Sequence, residues 1–443
     1  MTKQKRWTKC TFVAFLLVSS ISAHAQQNAA NRSMTINELF EQIEANNKSL
    51  RSQKTGVEIA SEAIKTAKSN KLPDINTQLS ASYLGNGFIT DRDFSNYTTA
   101  PFPHFGNSFA VEASQVVYSG GAITSGINLA ELAKKQTEVS IEQNRQQLRF
   151  IALGQYLDMY KLNNQMKVYE QNIELTNRLI NNVQAKHQQG VALKNDITRY
   201  ELQLENLKLG LTKLQDSYSI LNYQLCNTIG MSHDTVIIPD TTLINKVYQQ
   251  DGHSYWQNNA TSSSPAIKQA AIMVDMSRAK EKIEHSELLP KISLVATDNF
   301  NGPITIDIPS VNKNFNYWYI GIGIKYNLGA LYKSNKKVKQ AQLAVRQSTE
   351  NQAVVAERVE NEVQAGYTDY LQSFVELKTQ QKSVELAQQN YRVINDRYLN
   401  QLALITDMVD ASNMKLQAEL LEVNARIGIV YAYYKMKYIS GTL

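Results

Sequence analysis

Leu72-Pro73-Asp74-Ile75 begins the segment LPDINTQLSASY at residues 72–83, and a matching segment, LPKISLVATDNF, begins at Leu289. In each segment a proline ends a helix-forming stretch. After the first proline, one set of side chains is mostly apolar and the intervening set is polar: Ile75, Thr77, Leu79, Ala81 and Tyr83 alternate with Asn76, Gln78, Ser80 and Ser82. This alternation predicts a strand with one apolar face.

Much of the remaining chain is also duplicated. Tyr118-Ser119-Gly120-Gly121-Ala122 recurs as Tyr326-Asn327-Leu328-Gly329-Ala330. The numbering offset is 326 − 118 = 208 here and 289 − 72 = 217 for the first pair of segments, and offsets this similar indicate one duplicated unit with small loop changes. We predict repeat one at residues 34–231 and repeat two at residues 262–443, joined by an irregular connector at 232–261. Each repeat should contain a lead helix, two strands and a long helical hairpin, and the first lead helix is expected over residues 35–71.

The start of the chain, positions 1–25, predicts an export signal. A basic beginning with Lys3, Lys5, Arg6 and Lys9 precedes an apolar stretch at positions 11–21, and Ala23-His24-Ala25 has the pattern of a cleavage site. Without those four cations the formal net charge falls from +6 to +2. Since no basic cluster stands out in the remainder, the charge gives no support to nucleic-acid binding.

The predicted strands have lengths suited to a membrane-spanning sheet. Further strands are expected at residues 108–118 and 318–326, and transmembrane β-strands need ~9–11 residues. Aromatic residues near the strand ends resemble interfacial girdles; they are Tyr83, Tyr118, Phe300, Trp318 and Tyr326. The alternative is a pair of soluble hairpins, but export and the scarcity of other strands favour the membrane.

The helices are unusually long. No proline interrupts residues 122–187, 195–227, 330–400 or 406–438. At ~1.5 Å per residue, the first of these segments extends ~100 Å, far beyond the diameter of a compact domain. Pairs of such helices are expected to bury an apolar stripe between them. The sequence therefore predicts a mixed fold, mainly α, that could cross a periplasm.

These features resemble the TolC-type outer membrane efflux family over nearly the whole chain after the signal. Ser264-Pro265-Ala266-Ile267-Lys268 resembles the family's NPAL opening of the second repeat. Val117-Tyr118-Ser119-Gly120-Gly121 resembles the PLFDGG turn before its long helix. Each motif alone is weak, but their order, spacing and double occurrence match the family.

The resemblance implies a homotrimer in the outer membrane of a Gram-negative bacterium, with a large periplasmic part. Four strands from each chain would form one twelve-stranded barrel in outer-membrane lipid, above a coiled-coil tube. A separate argument from strand number agrees with the trimer. The four strands of one chain are too few to close a transmembrane barrel, and the eight strands of two chains give a barrel whose interior is filled by side chains. The twelve strands of three chains leave room for a lumen. The family's partners are a periplasmic adaptor (membrane fusion) protein and an inner-membrane RND or ABC transporter.

The resemblance also suggests which residues form the periplasmic entrance. The adaptor would dock at the two hairpin turns, which contain Gly190, Val191, Ala192, Gln401, Leu402 and Ala403. Asp407 and Asp410 match the family's ring of aspartates, and Tyr398 and Asp196 match positions that hold the entrance closed. Acids in the first turn of a helix also favour its dipole, so a purely structural role for Asp407 and Asp410, like that of Asp196 in repeat one, is the alternative. Ala403 occupies the position of the family's gating arginine, and Arg199, the repeat-one counterpart of Asp410, could supply a substitute cation.

Motifs for catalysis and for cofactor or metal binding are missing. The sequence contains no HExxH, G-x-S-x-G, phosphate-binding glycine loop or CxxC, and Cys226 is its only cysteine after the predicted signal. We therefore expect no enzyme activity, cofactor or metal. The leading hypothesis is an exit duct for efflux or type I secretion. A non-channel coiled-coil protein that spaces the envelope is the alternative.

Overall fold

The computed structural model describes residues 30–240, 246, 248, 251–306, 310–400 and 402–443, and the predicted export signal lies outside them. Helices occupy most of these residues: α1 Ile36–Asn46, α2 Lys48–Ser69, α3 Ala122–Gln188, α4 Lys194–Ile229, α5 His253–Ser263, α6 Pro265–Ser286, α7 Ala330–Leu399 and α8 Ile405–Ile439. The strands are β1 Ala30–Met34, β2 Asp74–Tyr83, β3 Gly87–Ile89, β4 Thr98–Ala100, β5 Phe105–Tyr118, β6 Thr235–Pro239, β7 Lys291–Gly302 and β8 Phe315–Lys325.

The strands of the two repeats form one sheet. Its order is β2-β5-β7-β8, and all three pairings are antiparallel. Strands β5 and β7 come from different repeats, so the alternative of two separate hairpins is wrong. The outer strands β2 and β8 each pair on one side only within this sheet. Because the strands alternate in direction, these two edges are antiparallel to each other.

The register places apolar side chains on one face across the four strands. Leu79 lies opposite Phe109, which in turn lies opposite Phe300. On the same face, toward the other edge of the sheet, Ile322 and Ile320 of β8 lie opposite Leu294 and Ala296 of β7. Every residue of β2 is exposed, including its apolar set. The sheet therefore presents an uncovered apolar face, the arrangement that lipid-facing strands require.

The long helices confirm the sequence prediction closely. Helices α3 and α7 begin at the predicted residues and end next to the predicted ones, because no proline or cluster of glycines interrupts either segment. Near the sheet, α3 packs against α2 and α6, and α6 packs against α7. Farther away, the α3–α4 and α7–α8 hairpins meet where α3 contacts α8. Among the described residues, no helix has a stretch long and apolar enough to cross a membrane.

The prediction of one lead helix at residues 35–71 is wrong in detail, because the chain turns at Asn47. Its side chain accepts hydrogen bonds from the backbone N–H groups of Ser49 and Leu50, at 2.9 and 3.1 Å. Its Nδ2 donates to the carbonyl oxygen of Thr228 at 2.7 Å. Asn47 thus caps a new helix, and α1 is free to pack Leu39 and Ile43 into the core.

The connector also has more regular structure than predicted. Strand β6 pairs in parallel with β1, and α5 begins at His253. The hydroxyl of Tyr156 on α3 donates to the carbonyl oxygen of Met34 at 2.7 Å and accepts from the N–H of Asp240 at 2.7 Å. This small sheet therefore attaches the connector to the side of α3. A short hairpin, β3–β4, similarly occupies the loop between β2 and β5.

Candidate functional site

The two hairpin turns lie together at the end of the helices farthest from the four-stranded sheet. A cluster of buried side chains joins them: Leu179, Ile180 and Val183 of α3, Tyr200 of α4, and Ile405 and Met408 of α8. Tyr391, Ile394 and Tyr398 of α7 pack against this cluster. Four helices therefore hold the turns in fixed relative positions, and these turns include the residues predicted for the entrance.

The first turn closes on a glycine in the left-handed region. Gly190 has φ of 74°, the conformation in which a glycine commonly ends a helix. The N–H of Val191 donates to the carbonyl oxygen of Lys186, and that of Gly190 to the carbonyl oxygen of His187, both at 2.9 Å. A side chain at position 190 would strain this conformation.

The second turn has a similar closing hydrogen bond. The N–H of Leu402 donates to the carbonyl oxygen of Arg397 at 2.8 Å, with the same spacing along the chain as the bond from Val191 to Lys186. Gln401, predicted to belong to the docking surface, lies outside the described residues. Val191, Leu193, Leu402 and Leu404 are exposed around the two turns, whereas Ala192 and Ala403 are half-buried. The turns therefore display an apolar surface.

Asp196 and Asp407 have matching structural roles in the two hairpins. The Asp196 carboxylate accepts a hydrogen bond from the N–H of Leu193 at 3.1 Å, and Asp407 accepts one from the N–H of Leu404 at 3.0 Å. Each acid therefore satisfies a backbone donor ahead of its helix and lies in the helix's first turn, where the dipole favours a negative charge. The structural alternative thus describes part of what both residues do. It does not describe Asp410, which is exposed one turn farther along α8.

Tyr398 connects the two hairpins. The Nζ atom of Lys186 on α3 lies 5.3 Å from the centre of the Tyr398 ring on α7. Burial raises the pKa of Tyr398, and the nearby negative charge of Asp196 raises it further. The phenol therefore stays neutral at physiological pH and remains available as a hydrogen-bond donor. The structure thus brings Tyr398 and Asp196 into one neighbourhood, together with Lys186, which the sequence analysis missed. Its position in the last turn of α3 was the available signal.

A cleft of about 320 Å³ separates α4 from α8 behind the turns. Arg199, Gln203 and Tyr169 line one side, and Val409 and Asn413 line the other. Arg199 therefore faces, across this cleft, the part of α8 that contains Val409 and Asn413.

Comparison with known proteins decides the family. The model of the outer membrane efflux protein family matches residues 39–230 and 256–435. The chain belongs to this family. The predicted resemblance is therefore confirmed, and the family match spans both halves of the duplicated chain.

One relative is similar to this chain in sequence, and two solved structures are similar to it in fold. Outer membrane efflux protein BepC of Brucella suis biovar 1 is 20% identical over 401 residues, which covers 90% of this chain and 83% of BepC. The solved structure of CusC has a TM-score of 0.77 at 13% identity and covers 92% of both chains. The Campylobacter jejuni outer membrane channel CmeC has a TM-score of 0.73 at 14% identity and covers 92% of this chain and 85% of CmeC.

Family membership establishes the general role of the chain. It is an outer membrane efflux component with a large periplasmic part, and its family consists of transport proteins rather than enzymes. Its fold is the TolC-like one, mainly α, with the long helices extending from one end of a small sheet.

Proposed function

We propose that three copies of this chain form a passive exit duct through the outer membrane. The observation that supports it best is the four-stranded sheet with an uncovered apolar face and two open, antiparallel edges. An exposed edge of this kind is a template for pairing, and joining β8 of one copy to β2 of the next removes every edge once the ring closes. Three copies supply twelve strands, enough to surround a lumen.

The same proposal assigns partners to the two hairpin turns, which lie at the end of the helices farthest from the sheet. Because the turns display Val191, Leu193, Leu402 and Leu404, we expect them to dock the tip of a periplasmic adaptor. An inner-membrane transporter of the RND or ABC type would supply the energy for efflux or type I secretion. Asp407 and Asp410 would line the entrance, and Tyr398 and Asp196 would hold it closed.

The experiment that tests the duct is a recording of purified, detergent-extracted protein in planar bilayers, with its mass measured in parallel. We expect the mass of three chains and discrete conductance steps. A non-channel spacing protein would instead be absent from the outer-membrane fraction and would give no conductance. A stable folded monomer that inserts and conducts alone would contradict the trimer.

The closing role of Tyr398 predicts a change in conductance. Tyr398→Phe combined with Asp196→Asn should increase single-channel conductance, because it removes the phenol donor and the negative charge near it. Asparagine keeps an oxygen for the Leu193 N–H, so the cap survives. The loss of stability should be small, since one hydrogen bond contributes about 0.5–1.5 kcal/mol. Unchanged conductance at unchanged thermal stability would place the closing contacts elsewhere.

A further inference from the structure

Strand β8 carries three aromatic residues on the face of the sheet opposite to its uncovered apolar face. Phe315, Tyr317 and Tyr319 alternate with Asn316 and Trp318, and all three are exposed. The rings of Phe315 and Tyr317 are stacked, with their centroids 5.6 Å apart and 25° between their planes. The aromatic girdles of transmembrane barrels face lipid, whereas the interior of such barrels is polar. A girdle therefore does not account for these three residues, which we call the aromatic column.

The other strands place only short or polar side chains beside the aromatic column. Three residues of β7 lie opposite the rings, and each has a hydroxyl or an amide: Thr297, Asn299 and Asn301. The same three rows of paired residues continue through β5 and β2 with the following side chains: Glu112, Ala110 and Ser108, then Asn76, Gln78 and Ser80. None of these side chains is an aromatic or a large aliphatic one that would cover the rings. Within one copy, the aromatic column is therefore open on this face of the sheet.

Closure of the proposed barrel leaves the aromatic column open as well. In that barrel β2 of the next copy pairs with β8, and the side chains of β2 on this face are all polar and short: Asp74, Asn76, Gln78, Ser80 and Ser82. This holds in every register that keeps the apolar face of β2 toward lipid, because side chains alternate strictly between the two faces of a strand. The strand that joins β8 therefore brings neither a large apolar side chain nor a cation over the rings.

The charge beside the aromatic column is negative. Glu112 is exposed and lies in the same row as Tyr319, two strands away, at a distance of about 9–10 Å. It is the one charged residue in the three rows that contain the rings, all of whose residues the structure describes. The face of an aromatic ring attracts cations, because the π-electrons make it negative. Rings and carboxylate therefore favour the same kind of ligand, a positively charged group attached to a flat apolar one.

Building on the trimeric duct, we propose that the aromatic column and Glu112 form a binding site for flat aromatic cations on the lumen wall of the barrel. The ring system of the cation stacks on Tyr317 or Tyr319, and its positive charge lies toward Glu112. Three copies supply three such sites around one lumen. The wall of the duct therefore retains a flat aromatic cation for longer than an aliphatic cation of the same charge.

Planar-bilayer recordings with N-methylacridinium, a flat aromatic cation, test the site. The compound is added from the external side, away from Asp407 and Asp410, and should cause brief interruptions of the current that become more frequent with concentration. Tetrabutylammonium has the same charge without a ring and should cause none. Tyr317→Leu combined with Tyr319→Leu should raise the apparent dissociation constant of N-methylacridinium about tenfold. Glu112→Gln should raise it about threefold, because the carboxylate is exposed to water.

Trp318→Leu is the matched control, because it removes the large aromatic residue of the same strand that faces the apolar side. It should leave the dissociation constant unchanged. Should the combined tyrosine variant fail to insert, Tyr317→Leu and Tyr319→Leu singly should each show part of the increase.

Three results would overturn the site while leaving the duct intact. They are a conducting parent without interruptions by N-methylacridinium, equal interruption by tetrabutylammonium, and an unchanged dissociation constant in the tyrosine variants. A parent protein that gives no conductance steps would overturn the duct and the site together.

Discussion

Ile320→Lys should keep the protein out of the outer membrane. Ile320 lies near the middle of edge strand β8, is 73% exposed, and faces the same side as Ile322 and Ile324. If that side contacts lipid, a lysine at the bilayer midplane costs about 2–4 kcal/mol per copy. Three copies multiply this cost, so the assembled barrel should be lost. Outer-membrane fractionation and the heat-modifiable trimer band on a gel both report the outcome.

The adjacent residue provides the control. Tyr319 faces the opposite side of β8, the side that already contains Lys325 and, two strands away, Glu112. Tyr319→Lys should insert and trimerise like the parent, because a lumen-facing charge stays in water. If Tyr319→Lys were excluded and Ile320→Lys inserted normally, the lipid and lumen faces would be the reverse of those proposed.

Asp407→Asn combined with Asp410→Asn should abolish block by multivalent cations added from the periplasmic side, and most of the cation selectivity. Three copies would arrange these carboxylates around one narrow opening, where like charges concentrate cations and repel anions. An asparagine at position 407 would keep an oxygen for the Leu404 N–H, so the change removes charge without removing the cap.

Planar-bilayer recordings with a hexammine cation measure this effect. Asp216→Asn, an exposed acid on α4 far from the turns, is the control and should leave the block unchanged. Trimers and outer-membrane location should survive in the double variant. Persistent block at the parent concentration would show that the two aspartates do not form the ring, and helix capping would then describe Asp407 fully.

Local sequence predicted the long elements well, since the missing prolines and the two-residue alternation act within each segment. Predictions from local sequence failed where contacts between segments that are distant in the chain determine the structure. Asn47 ends α1 because its side chain reaches Thr228, and β1 forms because β6, from the connector after repeat one, lies beside it. At the hairpin turns, the capping roles of Asp196 and Asp407 could be predicted from their positions in the first turn of a helix. The contact between Lys186 and Tyr398 could not be predicted from the sequence, because it depends on how the two hairpins align in the structure.

The duplicated hairpins have diverged in charge, and one such position lies beside the turns. Arg199 in repeat one stands where Asp410 stands in repeat two, although both hairpins close and cap alike. A trimer of duplicated chains is a ring of six similar hairpins, in which Arg199 and Asp410 alternate at this position. Such a ring has threefold rather than sixfold symmetry in its charges.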